Sequence, residues 1–270
     1  MTAPDVTAPG VAAPAWRPRD CHAHTTFSDG HLAPEALVAA VEARGVRPSI
    51  ADHCSRDVAL ALKDATALAA YVAHLERLRE AAPDLAVSGE FCWHDTLWRE
   101  APPALWARLT HAVGSVHAVR LPQALGGGRV HMFQRHWPAG LDVDAYMDAH
   151  VADAERFLAE MPVDVYAHPT LVPLPLRGRP AEALWTEPRA ERLARAVAAS
   201  GVAFEVSNRY RPPPDLVARV VAAGGRLSVG SDGHAPDQVG DVAWPLAVAR
   251  AAGARDADLY EPTVHGRRGA

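Results

Sequence analysis

Two spacings alternate along the chain. Short apolar runs at 19–24, 47–53, 85–93, 111–119, 163–168, 202–207 and 226–231 predict strands. Between them, apolar residues recur at helical spacing. Pro34 opens a helix that carries Leu37, Val38 and Val41 on one face and stops at Gly45. Leu68, Val72, Leu75 and Leu78 mark the next one. Further helices are predicted around 98–109, over 143–160 and 187–199, after a cap at Asp215, and near 244–252. The stretch LPQALGGGRVHMFQRHWPAG (121–140) is glycine-rich and irregular.

Seven βα units in succession imply parallel strands with right-handed crossovers. An open, doubly wound sheet satisfies the same pattern. The choice turns on where the chemistry falls. In a barrel every strand delivers its C-terminal end to one site, whereas an open sheet does so only near its switch point.

Nearly every predicted strand here ends in a metal-binding type of residue. The first gives His22 and His24, the second Asp52 and His53, the third Glu90, the fourth His117 and the fifth His168. Asp232 and His234 follow the seventh, and Asp29 lies in the loop after the first. Side chains two apart on a strand share a face, so Asp20, His22 and His24 point one way, Cys21 and Ala23 the other. A single histidine at a strand end is ordinarily a surface or satisfied residue, which is the reading for His74, His111, His150 and His265. Recurrence at strand after strand is what singles out the rest. The expected architecture is therefore a closed α/β barrel of seven βα units, with a metal site at the C-terminal ends of its strands.

Composition narrows the class. The 270 residues, 49% hydrophobic and 22% charged, suit one soluble domain. It is expected over 18–256, with a flexible leader at 1–17 and a flexible tail at 257–270. A formal net charge of -5 argues against a nucleic-acid polymer as partner. No apolar run is long enough for a membrane span. Three cysteines without repeated spacing fit a reducing cytoplasm and not a disulfide framework.

Imidazole and carboxylate together suit Zn, Mn or Fe. Nine candidate ligands are too many for one ion and fit two or three divalent ions, with Glu90 placed to bridge. Such a cluster makes the pocket cationic inside an acidic protein. A unit charge about 4 Å away is then worth roughly 4 kcal/mol at an effective dielectric near 20, and a phosphate group is the natural guest.

These motifs resemble a known family. DCHAHTTFSDG is similar to the opening motif of the PHP (polymerase and histidinol phosphatase) family, and ADHCS to its second. GSVHAV, VYAHPT, FEVSN and VGSDGH resemble later motifs of the histidinol-phosphatase branch. The resemblance runs over about 18–242. It implies a distorted (β/α)7 barrel and a trinuclear centre. One metal would be held by His22, His24, Glu90 and Asp232, a second by Glu90, His117 and His168, and a third by Asp29, His53 and His234. Asp20 and Asp52 would orient ligating imidazoles. The chain departs from the pattern at Ala51, at the FCWHD continuation that brings Cys92 and His94 close to Glu90, at 123–140, and in FEVSNRYR.

The expected activity is hydrolysis of a small-molecule phosphate monoester by a hydroxide bridging two metals. Histidinol phosphate, a nucleotide or a specialised-metabolite phosphate are all candidate substrates. Asp232, His234 and Glu90 are the expected catalytic groups. Arg209, then Arg120 and Arg135, are the candidates to grip phosphate. Trp93, Trp137 and Tyr210 are expected to wall the leaving group, and His131 and His136 to reach it. Trp98, Trp106 and Trp185 read as core. Cys54 and Cys92 read as buried thiols rather than nucleophiles.

Two rival chemistries remain open on the sequence, a phosphodiesterase of the same family and an amidohydrolase-type enzyme acting on a C–N or lactone bond. The latter commonly bridges its metals with a carboxylated lysine, and Lys63 is the only lysine. A purely structural module is a third reading; its ligands would be eroded, and these are intact.

Overall fold

The structure is a computed structural model that describes residues 16–268. The leader 1–17 lies, but for its last two residues, outside the described residues. The central sheet is parallel, with six strands. In chain order they are β2 (His53–Cys54), β4 (Glu90–Cys92), β5 (Val113–Ser115), β8 (Val165–Tyr166), β9 (Ala203–Ser207) and β10 (Leu227–Gly230). Their spatial order is β10-β9-β8-β5-β4-β2. Two smaller ladders flank them. A parallel pair joins β1 (Ser49–Ile50) to β3 (Ala86–Val87), and an antiparallel hairpin joins β6 (Ala118–Arg120) to β7 (Arg129–His131).

No sheet closes on itself among the described residues. The first predicted strand, 19–24, forms only isolated bridges, Arg19 with Arg47 and Ala23 with Gly233. Its backbone nevertheless bonds to both sides. Cys21 N–H donates to Val229 O at 3.0 Å and Asp20 N–H to Arg47 O at 3.0 Å. Ala51 N–H donates to Ala23 O at 2.9 Å, and Asp232 N–H to His22 O at 2.8 Å. The segment thus lies between β10 and the β1–β2 region without the regular ladder of a strand.

Other predicted strands are broken where the site needs a bend. The 85–93 run divides into β3 and β4 around Ser88 and Gly89. A Cβ at Gly89 would sit 2.7 Å from Cys54 Sγ, so the backbone there packs directly on its neighbour. The expected helix at 98–109 is two short turns, α3 (Leu97–Glu100) and α4 (Pro103–Trp106). Pro102 and Pro103 deny the backbone donors and the geometry that a continuous helix requires.

The longer helices follow the sequence pattern and cover the sheet. They are α1 (Pro34–Glu42), α2 (Ala65–Ala81), α5 (Val143–Glu160), α7 (Glu187–Ser200), α8 (Pro214–Ala222) and α9 (Ala243–Ala251), with the short α6 (Ala181–Leu184) and α10 (Pro262–His265). In α7 the buried face is Ala190, Leu193, Ala194 and Val197, and Gly201 ends the helix at φ 73°. The strands are buried from end to end, as expected for parallel strands covered on both faces. Trp98 and Trp185 are buried, and Trp106 packs against the core.

Residues expected as a loose tail pack instead on the N-terminal end of the sheet. Tyr260 is buried and its N–H donates to Leu227 O at 2.7 Å. Glu261 bonds Arg19 and Arg47, and the Arg267 guanidinium reaches the buried Asp164 at 3.2 Å. A run of Gly and Arg looks unstructured by composition, but the Arg267 guanidinium and the Arg268 N–H both reach the buried Asp164. Among the described residues no helix is long and apolar enough to cross a membrane.

Candidate metal centre

At the C-terminal end of the sheet, Glu90 lies at the middle of a ring of imidazoles. Register explains the meeting: β2 pairs with β4 so that His53 stands opposite Glu90. His53 Nδ1 is 2.6 Å from Glu90 Oε2, and His22 Nε2 and His24 Nε2 lie at 3.6 and 3.8 Å from the same oxygen. On the other side, His168 Nε2 and His117 Nε2 are 3.1 and 3.4 Å from Glu90 Oε1.

A second carboxylate, Asp29, gathers the outer members. Its oxygens are 3.6 Å from His24 Nδ1, 3.6 Å from His53 Nε2 and 3.2 Å from His234 Nε2. Asp232 lies 3.4 Å from His24 Nε2 and 3.7 Å from His234 Nδ1. All nine expected ligands are therefore brought together. The three compact groups of candidate ligand atoms are His24–Asp29–His53–His234, His22–His24–Glu90 and His53–Glu90–His117. This partition differs from the family-derived one: His24 and His53 each stand between two groups.

The donor set fits cations. Glu90 Oε2, His53 Nδ1 and His168 Nδ1 are buried without a properly directed hydrogen-bond partner, an arrangement costly in a neutral core. His22 Nδ1 lies 2.9 Å from Glu205 Oε1. With Nδ1–H donated there, Nε2 is left bare, and it faces His24 Nε2 at 3.0 Å. Two nitrogen lone pairs at that separation call for a proton or a cation between them.

Electrostatics point the same way. Burial holds His24 at about 3 and His117 at about 3, so both imidazoles are neutral donors at physiological pH. Burial alone would also lower His53, but Glu90 and Asp29 outweigh it and push it up to about 10. Burial opposes ionisation of Asp29, Asp232 and Glu90. The surrounding histidines overcome it and hold all three below the ordinary carboxylate range.

The turns that carry these groups are specialised. His168 and Asp232 are the non-glycine residues with positive φ, 33° and 49°, an uncommon backbone state that surrounding bonds must hold. His168 N–H donates to Glu205 Oε2 at 2.7 Å. Asp20 accepts from Ser231 N–H at 2.8 Å, Ser231 Oγ–H at 2.6 Å and Gly240 N–H at 2.9 Å. Asp52 accepts from Thr25 N–H at 2.8 Å and from the Thr25 and Ser28 hydroxyls at 2.6 and 2.5 Å. The two aspartates expected to orient imidazoles thus hold the 25–28 and 231–240 turns instead.

Glu205 is the residue that sequence reasoning missed. It is fully buried in β9 and joins His22 to the backbone of His168. Gly230 on the adjacent strand makes room: a Cβ there would lie 2.2 Å from Glu205 Oε1. The available signal was a carboxylate inside the otherwise apolar run VAFEVS. His94 and Asp153 were also missed as a pair. His94 lines the cavity with Nε2 2.7 Å from Asp153 Oδ2, and Asp153 further accepts from Trp93 Nε1 and Arg156.

A cavity of about 450 Å³ opens over the cluster, walled by Cys92, His131, Phe133, Arg209 and Tyr210 besides the ligand histidines. Arg209 Nη1 is 2.8 Å from His234 Nδ1, so the first-choice arginine is at the site. Arg120 and Arg135 are exposed and do not line the cavity. The Arg120 backbone is tied to Asp153 at the far end of β6, and Arg135 follows the hairpin on the outer surface. Trp93 stacks on Trp98 and Trp137 packs edge-on against Tyr146, so neither forms a wall. His136 is exposed and outside the cavity.

Cys54 and Cys92 are buried, and burial pushes the Cys92 thiol up to about 12, which removes it as a nucleophile. Lys63 donates to the carbonyls of Arg56 and Val58, not to the cluster.

No protein-family model and no curated protein matches the chain. Among solved structures, it is similar to histidinol phosphate phosphatase from Lactococcus lactis subsp. lactis Il1403, complexed with zinc, L-histidinol and phosphate. The two share 16% identity over 88% of this chain and 95% of that one, with a TM-score of 0.69. A candidate metal-dependent phosphoesterase from Bifidobacterium adolescentis matches over 84% of this chain and 90% of its own, at 18% identity and a TM-score of 0.37. The second likeness is too slight to argue from. The first establishes the fold that the two proteins share: a mixed α/β architecture around a mainly parallel sheet.

Proposed function

We propose that this protein is a metal-dependent phosphomonoesterase acting on a small-molecule ester, with two or three divalent ions held by His22, His24, Asp29, His53, Glu90, His117, His168, Asp232 and His234. The observation that carries the reading is Glu90, a buried carboxylate among five imidazoles with one oxygen unpartnered. The zinc and phosphate described for the Lactococcus protein, which shares this fold, support it. The seven-stranded barrel implied by the sequence would close through 19–24, which bonds to both of its neighbours.

When bound, divalent ions supply Lewis acidity and make hydroxide available near neutral pH. The chain's own groups do the rest. Glu205 fixes the His22 ring so that Nε2 faces the cluster. The Arg209 guanidinium stands at the cavity wall, where it offers planar donors to a phosphoryl oxygen. Asp232, held ionised beside His234 and Arg209, is placed to take a proton from the attacking water and pass it to the departing alcohol. Phe133 and Tyr210 give the cavity wall an apolar, aromatic side on which a leaving group can rest. An amidohydrolase mechanism with a carboxylated lysine finds no support, because the sole lysine donates to carbonyls away from the cluster.

The test is phosphate release from a panel of histidinol phosphate, nucleoside monophosphates and phenyl phosphate. Protein purified without chelator is assayed alongside elemental analysis. Two or three bound metals are expected, with release that falls on the order of 10³-fold in His22→Ala, equivalent to several kcal/mol of lost charge stabilisation. Full metal loading with no release from any monoester would overturn the reading and favour a diester or a C–N bond as target.

A further inference from the structure

Beside the metal cavity lies a groove of about 400 Å³ lined by Arg177, Arg179 and Arg211 together with Trp185, Tyr210 and Trp244. It is built from the segments that follow β8 and β9, and so opens at the same end of the sheet as the metal centre. Tyr210 lines both spaces, which makes them neighbours across one side chain.

The charge of this groove is one-sided. Among the described residues no Asp or Glu lines it. Among them, too, Arg177 donates only to the carbonyls of Val172 and Met132, at 3.1 and 3.2 Å, and Arg211 only to Asn208 O and Oδ1, both at 3.2 Å. Arginines on the adjacent helices behave differently: Arg189, Arg192 and Arg219 each hold a carboxylate. The guanidiniums of Arg177 and Arg211 rest on aromatic rings instead. Arg177 is 5.1 Å from the Phe133 centroid and 5.5 Å from that of Tyr210, and Arg211 is 4.9 Å from that of Trp244. Stacking fixes a cation in place without neutralising it. In a chain of net charge -5, uncompensated cations gathered at one rim form a local field for an anion.

We propose that this groove binds a second anionic group of the substrate, a carboxylate or phosphate carried at the far end of a flat, apolar leaving group. The proposal rests on the phosphomonoesterase reading. An ester that presents its phosphate to the cluster must run its leaving group out of the cavity, and the path past Tyr210 leads between the three arginines. An anion there gains charge-assisted hydrogen bonds, whereas a cationic alcohol meets like charge. The aromatic walls favour a planar connector.

Three esters isolate the effect: phenyl phosphate, biphenyl-4-yl phosphate and 4′-carboxybiphenyl-4-yl phosphate. The last two differ only in the carboxylate. Wild-type enzyme is expected to favour the carboxylated ester over the plain biphenyl ester on the order of tenfold in kcat/KM, two charge-assisted contacts at a partly exposed site. The preference should shrink with added salt, and it should vanish in Arg179→Ala/Arg211→Ala. Equal losses on both biphenyl esters would point to general damage and overturn the proposal, as would absence of the preference in wild type. Calorimetry with biphenyl-4-carboxylate gives a readout independent of hydrolysis. Binding to wild type that weakens at least about fivefold in the double variant supports the groove even where no ester is turned over, in which case the phosphatase reading alone falls. Hydrolysis of phenyl phosphate without any such binding leaves that reading standing and removes the groove.

Discussion

The two ends of the sheet use the same residue types to opposite effect. At the N-terminal end the buried charges are matched. The buried Arg19 reaches both oxygens of Glu261, at 3.2 and 3.3 Å, and donates to the Pro48 and Asp84 carbonyls at 2.8 Å. Arg47 shares Glu261 at 2.6 Å, and Arg17 pairs with Asp84. His111 is held neutral by burial, at about 3, with Nε2 3.1 Å from Cys21 O. At the C-terminal end, by contrast, a carboxylate oxygen and two imidazole nitrogens lack partners, and the nearby arginines lack carboxylates. At the first, saturated end the buried charges are engaged with one another, although His111 Nδ1 there has no hydrogen-bond partner. At the second, unsaturated end charged groups are left facing a cavity, which is where barrel-like folds keep their chemistry.

The largest expected contrast comes from the saturated end. Glu261→Gln leaves the buried Arg19 without its carboxylate partner, with only neutral acceptors around it. It should cost roughly 3 kcal/mol of stability, the usual range for breaking a buried pair by removing one member. Denaturant unfolding checks this, while phosphate release per folded molecule should stay at the wild-type level. A loss of turnover at unchanged stability would erase the division between the ends.

The candidate ligand set was legible because it obeys simple periodicities: His22 and His24 stand two apart in one predicted strand, and the others sit where apolar runs end. The positions of the supporting residues were not. Glu205 sits inside an apolar run, and only the cost of burying its charge marks it. Asp153 lies within a long amphipathic helix, and nothing local says that it turns inward toward His94. Arg209 follows a predicted strand end and ranked ahead of Arg120 and Arg135, whose direction depends on a hairpin, β6–β7, that glycine-rich spacing alone did not define. Arg177 lies in a proline-rich loop without periodicity. The contacts of the C-terminal residues were hidden for a related reason: composition describes solubility, and the buried Asp164 that Arg267 reaches is 103 residues away.

A smaller effect is expected from Glu205→Gln at the unsaturated end. The amide keeps the shape but supplies one acceptor where two are used, by His22 Nδ1–H and His168 N–H. Metal affinity should fall about 10- to 100-fold, the range for residues that orient a ligand, while the chelated protein unfolds within about 1 kcal/mol of wild type. Titration with a divalent ion, read by elemental analysis after desalting, measures the first. A chelated protein as destabilised as Glu261→Gln would show Glu205 to be a fold residue and blur the comparison.

The smallest effect is a dependence on acid, and it separates charge from shape at the saturated end. Burial alone would raise the Glu261 pKa, but Arg19 and then Arg47 outweigh it and hold it below the ordinary carboxylate value. A carboxylate depressed in the folded state stabilises fully above its unfolded pKa, and that contribution is lost as pH falls through the folded value. The stability gap between wild type and Glu261→Gln should therefore be flat from neutral pH down to the usual carboxylate range. Below it the gap should close with a slope of at most about 1.4 kcal/mol per pH unit, the limit for one proton. Acid also protonates histidines at the other end and releases metal there, but both proteins share that loss, so it cancels in the difference. A gap that persists at acid pH would mean that Glu261 acts through packing, and the saturated end would then owe its stability to shape rather than to matched charge.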